Sequence, residues 1–184
     1  MKRTKKKVIA MCGSTRYNSS NLNLIKAIAK LTKDRFEVFI FDGLSRIPHF
    51  NADLDNENLP NEVREFKDLI MKHDGVLICT PEYAMGVPGT LKNAIDWTVS
   101  SMDFHNKPVA LITASSSGHK AHSALIDTLN VIDAKMTTDT QLLISFIKTK
   151  VNTDGEIIDE ETLRQVRSLI HAFGSIMELE MQQP

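Results

Sequence analysis

The chain has 184 residues, with 22 Lys and Arg against 23 Asp and Glu, for a formal net charge of −1. That length fits one domain, able to bury about 70% of the surface its unfolded form exposes. The even charge excludes a global field that would steer the protein to nucleic acid or to a membrane surface. No stretch approaches the roughly 18 apolar residues of a membrane span.

Residues 1–6 form a basic leader, expected to be a solvated tail. The apolar run that follows, 8–12, falls short of the roughly 7–15 residues of a signal-peptide core, so a cytoplasmic protein is expected. The first strand is predicted over 7–12. The loop 13–21 leaves it, and Leu22, Ile25, Ile28, Ala29 and Leu31 then recur at helical spacing. A second strand is predicted over 37–41, followed by a helix whose stripe is Val63, Phe66, Leu69 and Ile70. A third strand over 76–80 leads into loop 81–89. The next helix starts near Pro88, since proline suits the first helical turn, with Leu91, Ala94, Ile95 and Val99 as its stripe. A strand over 109–113, loop 114–118 and a helix carrying Ala124, Leu125, Leu129 and Ile132 follow. The last pair is a strand over 141–144 and a helix over 160–179, entered through a turn at 152–155.

Five short apolar strands alternating with five helices predict an α/β fold, a parallel sheet covered on both faces. No repeat, low-complexity tract or linker divides it, so residues 1–184 read as one domain. Cys12 and Cys79 each close an apolar run and lack the spacing of a metal site, which predicts reduced strand residues.

Ligands of open parallel sheets bind beyond the carboxyl ends of the strands, where the strand order reverses. If the strand order is 2-1-3-4-5, loops 13–21 and 81–89 flank that point and 114–118 lies beside them. The first loop reads G-S-T-R-Y-N-S-S-N and runs straight into a helix. Ser14, Thr15, Ser19, Ser20 and Asn21 offer polar groups, Arg16 a charged fork, and the helix end free N–H groups, a set that suits a phosphate monoester. Capping alone also suits Ser and Asn, but it needs one such residue, not five and an arginine. The loop matches neither the dinucleotide G-x-G-x-x-G nor the P-loop pattern. In loop 81–89, Glu82 has no acid–base companion in the sequence, and Tyr83 can pack on a planar ring. His119 and His122 form H-x-x-H without a third ligand nearby, so no metal is expected.

These residues resemble the NADPH-dependent FMN reductase family, which includes bacterial quinone, azo-dye and chromate reductases. Its first signature, G-S-x-R-x-x-S-x-N, is matched by Gly13, Ser14, Arg16, Ser19 and Asn21. Its second, P-E-Y followed by P-G-x-L-K-N-A-[IL]-D-W, is matched by Pro81, Glu82 and Tyr83 and then by residues 88–97. The resemblance implies a flavodoxin-like three-layer sandwich with FMN bound. The phosphate would lie at Ser14, Arg16, Ser19, Ser20 and Asn21. The ring would lie over Pro81, Glu82, Tyr83 and Ala84, with Ser115 and Ser116 near its other edge. It further implies ping-pong transfer from NADPH or NADH through FMN to a small-molecule electron acceptor such as a quinone or azo compound. A homodimer or homotetramer is implied too, with the helix carrying 91–97 at the interface. Family members often have Asn where this chain has Ala84, and a hydroxyl-bearing or bulkier residue where it has Gly86. The alternative is an FMN electron carrier or redox-sensing module without turnover; carriers tend to be strongly acidic, and a charge of −1 lends that no support.

Overall fold

A computed structural model describes residues 4–179. Strands β1 (Lys6–Cys12), β2 (Phe36–Phe41), β3 (Gly75–Thr80), β4 (Val109–Ala114) and β5 (Gln141–Ile144) form one sheet. All its pairs are parallel and the order is β2-β1-β3-β4-β5. The helices are α1 (Ser20–Leu31), α2 (Asn61–Lys72), α3 (Gly89–Asp96), α4 (His119–Val131) and α5 (Glu160–Leu179).

Every residue of β3 and β4 is buried, which is why their sequences are continuously apolar instead of alternating. Their side chains still divide by the two-residue period of a strand. Val8, Ala10, Leu77, Cys79, Ala110 and Ile112 point into a core shared with α1 and α5. Ile9, Met11, Val76, Ile78, Val109 and Leu111 point into a second core shared with α2, α3 and α4. The result is a three-layer sandwich.

The helical stripes need three corrections. On α1 the buried face is Asn21, Leu24, Ile25, Ala27 and Ile28, while Leu31 at the last turn is exposed. On α4, Ala121, Leu125 and Leu129, four apart, face inward, and Ala124 lies on the outer side. Helix α3 stops at Asp96, so Val99 falls in the turns beyond it and is exposed. Trp97 is a core residue: it is fully buried, donates from Nε1 to the Pro48 carbonyl at 2.8 Å and meets Phe50 edge-on, whereas Met102 is exposed. The strand also begins earlier than expected. Lys6 and Lys7 belong to β1, with Lys7 N–H donating to Asp74 at 2.7 Å, so the leader ends at Lys5; residues 1–3 of it lie outside the described part. Both cysteines are free, Cys79 buried and Cys12 partly so. Among the described residues no helix is long and apolar enough to cross a membrane.

At the end of β1, Cys12 lies in register with Cys79 on β3, and Gly13 N–H donates to the Cys79 carbonyl at 2.9 Å. A Cβ on Gly13 would lie 2.1 Å from Oγ1 of Thr80 and 2.7 Å from its Cβ. Gly13→Ala must therefore push two buried strands apart. It is expected to lower stability by about 2–3 kcal/mol, measured by urea unfolding; an unchanged midpoint would refute this crowding.

Candidate active site

Loop 13–21 lies over the junction of β1 and β3. Ser14 is 8% exposed, and its Oγ sits 3.1 Å from the Tyr83 hydroxyl and accepts the Arg16 N–H at 3.4 Å. Ser19 is the N-cap of α1, with Oγ accepting the Leu22 N–H at 3.4 Å. Behind the loop, Cys12 Sγ donates to the Ser14 carbonyl, and burial pushes its thiol pKa up. The first turn of α1 holds no acidic residue, so its free amides, the hydroxyls and exposed Arg16 form a donor set with no competing carboxylate. That chemistry fits a phosphate dianion.

Asn21 does not offer its side chain as expected. It is buried; Nδ2 donates to the Ala114 carbonyl at 3.0 Å and Oδ1 accepts from Cys79 Sγ at 3.3 Å. It ties the loop to β3 and β4, leaving only its backbone N–H, in the first helical turn, for a ligand.

In loop 81–89, Tyr83 and Gly86 exchange backbone hydrogen bonds of 3.0 and 2.9 Å around Ala84 and Met85, whose φ values are 48° and 59°. Two consecutive left-handed residues make the mirror-image turn that favours Asn and Gly. Glu82 turns its carboxylate to the amino end of α4, accepting from the N–H groups of Lys120 (2.8 Å), Ala121 (3.0 Å) and Gly118 (3.4 Å). These bonds, that of Ala121 foremost, hold its pKa below the usual carboxylate value. It is a helix cap, and its backbone N–H donates to Ser115 Oγ at 3.2 Å.

Loop 114–118 is stitched to the chain after β5. Ser115 N–H donates to Ile144, Phe146 N–H to Ser116 and Ile147 N–H to Ser115. His122 is partly buried with Nδ1 2.9 Å from Thr113 Oγ1, and burial lowers its pKa. Among the described residues no three His, Cys, Asp or Glu groups are placed to hold a metal ion.

A cavity of 390 Å³ opens between the ends of β1, β3, β4 and β5. Ten of the eleven residues expected from the sequence line it: Ser14, Arg16, Ser19, Ser20 and Asn21 at one end, then Pro81, Glu82, Tyr83, Ser115 and Ser116. Ala84 does not reach it. The sequence reading missed a fourth wall, residues 146–149 after β5. Phe146 stands there with φ 57° and is 68% exposed. Its signal was positional: this loop also leaves a strand at the carboxyl rim, although its sequence carries no glycine or proline punctuation.

Residues 6–149 match the family described as NADPH-dependent FMN reductase. A quinone reductase of Escherichia coli is 33% identical over 181 residues, covering 95% of this chain and 96% of its own. An NADPH azoreductase of a Bacillus species is 32% identical over 148 residues, covering 79% and 78%. Among solved structures, a flavoenzyme NAD(P)H:(acceptor) oxidoreductase from Paracoccus denitrificans superposes with a TM-score of 0.81 at 30% identity, covering 94% of this chain and 97% of that one.

Two consequences concern loop 81–89. Glu82→Gln is expected to cost about 0.5–1 kcal/mol at neutral pH by weakening the cap. Because the folded pKa lies below the unfolded one, the glutamate's advantage is complete above the unfolded value of about 4.3 and disappears as pH falls through the folded value. Urea unfolding of both proteins at pH 7 and pH 3 should show the gap closing in acid; a constant gap would contradict the cap. Ala84→Asn should raise stability by about 0.5–1 kcal/mol, since Asn tolerates left-handed backbone better than Ala, and a lower unfolding midpoint would contradict this turn geometry.

Proposed function

The chain belongs to the NADPH-dependent FMN reductase family, and from that membership we propose that it reduces quinones, azo compounds or similar electrophiles with NAD(P)H by a ping-pong route. It is an FMN-dependent oxidoreductase. FMN, when bound, would supply the two-electron hydride chemistry between NAD(P)H and the second substrate.

The observation that carries the reading of the site is the donor set at the head of α1, beside a 390 Å³ cavity. We assign the phosphate to the hydroxyls of Ser14 and Ser19, the guanidinium of Arg16 and the first-turn amides of Ser20 and Asn21. The flat ring belongs over the backbone of residues 81–83, with Ser115 and Ser116 at its other edge. Tyr83, tethered through its hydroxyl to Ser14, and Phe146 wall that space with aromatic surface. No side chain is assigned as acid or base, and the capping role of Glu82 agrees with that. A quinone is the favoured acceptor class because a relative bearing that name aligns along nearly the whole chain.

The whole chain, residues 1–184, acts in this reading as one FMN-binding domain in the cytoplasm, consistent with its two free cysteines. Exposed Phe50, Val99 and Met102, around the end of α3, support a homodimer or homotetramer formed on that side.

The purified protein, loaded with FMN, should be yellow, bleach with NADPH under anaerobic conditions and recover its colour when a quinone is added. A colourless protein that no FMN restores would refute the assignment. Arg16→Ala should weaken FMN binding about tenfold or more, read by quenching of flavin fluorescence; unchanged affinity would remove Arg16 from the phosphate site.

A further inference from the structure

The cavity wall that follows β5 carries a phenylalanine in a backbone conformation that phenylalanine disfavours. Phe146 has φ 57° and ψ 38°, in the left-handed region. Six described non-glycine residues have positive φ, and of these Phe146 alone lines the 390 Å³ cavity. A bulky residue there is an outlier, because its Cβ crowds the following carbonyl oxygen. Glycine or asparagine would hold the same turn at less cost. Phenylalanine at this position therefore serves the ring and not the turn.

The backbone is fixed on both sides of that ring. Phe146 N–H donates to the Ser116 carbonyl at 3.3 Å, and the Phe146 carbonyl accepts from the Thr149 N–H and hydroxyl at 3.0 and 2.9 Å. Ser145 Oγ donates to the Ser117 carbonyl at 3.0 Å, and Ile147 is buried in the core shared with α1 and α5. The Phe146 side chain belongs to neither core. It is largely exposed, and among the described residues no aromatic ring stacks on it. Four hydrogen bonds and a buried neighbour thus hold an apolar ring in solvent at the edge of a cavity.

Backbone strain that its surroundings over-determine clusters at ligand sites. The flavin contacts proposed above use Ser116, to which Phe146 is bonded, but not the Phe146 ring. Ser116 lies at one edge of the proposed flavin position, so the ring stands just past that edge. A second substrate stacked on the flavin there brings its outer part to Phe146. The phenylalanine is neutral and flat, so it favours aromatic area over charge. A one-ring quinone is too short to use it, whereas a second fused ring extends onto it.

We infer that Phe146 is a specificity-determining residue for the electron acceptor, its ring packing on the outer ring of a fused bicyclic quinone. The inference rests on the function proposed above and names the acceptor class within it. FMN loading is scored first by absorbance, and failure there decides the flavin reading alone. Oxidised holoenzyme cannot reduce a quinone, so binding is then measured without turnover, from the shift of the flavin absorbance band. The probes are 2,3-dimethyl-1,4-naphthoquinone and tetramethyl-1,4-benzoquinone, neither of which has a ring position open to thiol addition. Phe146→Asn and Phe146→Gly remove the ring and suit left-handed backbone. Each should weaken naphthoquinone binding about five- to tenfold, as loss of one aromatic pair does, and benzoquinone binding less than about twofold. Phe146→Tyr should keep the preference of the parent protein. The urea midpoint of Phe146→Asn should not fall; a fall would give the ring a structural role and overturn the inference. Unchanged naphthoquinone affinity, or an equal loss for both quinones, also overturns it. Loss of FMN with the quinone preference intact would put the ring on the flavin instead, and overturns it too.

Discussion

Where β1 ends, the chain passes β3 so closely that residue 13 has no room for a side chain, a Cβ there falling 2.1 Å from the Thr80 hydroxyl. The hydrogen bond from Gly13 to the Cys79 carbonyl then fixes the direction in which the first loop leaves the sheet. Asn21, eight residues on, closes the loop by bonding Ala114 on β4 and Cys79 on β3. The polar groups between these two anchors, Ser14 to Ser20, are thus held over the junction of strands. A donor set anchored at both ends costs little ordering on binding.

Two helix amino ends point at the same rim, and they are treated oppositely. That of α4 is filled by the Glu82 carboxylate, a bond that also positions the backbone of loop 81–89. That of α1 carries a serine cap, no acid in its first turn and an arginine nearby. A mobile anion is repelled from the first and drawn to the second. In the proposed reading the phosphate therefore goes to the head of α1, while the bond from Glu82 N–H to Ser115 Oγ joins loops 81–89 and 114–118. The chain after β5, bonded to loop 114–118 through Phe146 and Ile147, closes the cavity on its last side.

Much of this was legible in the sequence because strands buried on both faces must be apolar, and loops that read ligands need polar groups at strand ends. The parallel sheet covered on both faces and the polar loop at residues 13–21 both followed. What failed were statements about where a given side chain turns. Asn21 belongs to the motif, yet its side chain is buried, and only the approach of β3 and β4 reveals its partners. Ala124 and Leu31 are apolar at nearly helical spacing, but one step around a helix separates the core side from solvent. Residues 146–149 lacked glycine or proline to mark them, and their place at the site comes from hydrogen bonds to a loop about thirty positions earlier.

The central claim is that the head of α1 recognises a flavin by its phosphate. Affinities of the apoprotein for FMN and for riboflavin, measured side by side from fluorescence quenching, test it most directly, because the two ligands differ only in that group. Binding of FMN about a hundredfold tighter or more is the predicted result, as two or more charge-assisted contacts supply. Equal affinities would mean that Ser14, Arg16 and Ser19 do not hold the phosphate, and would contradict the account.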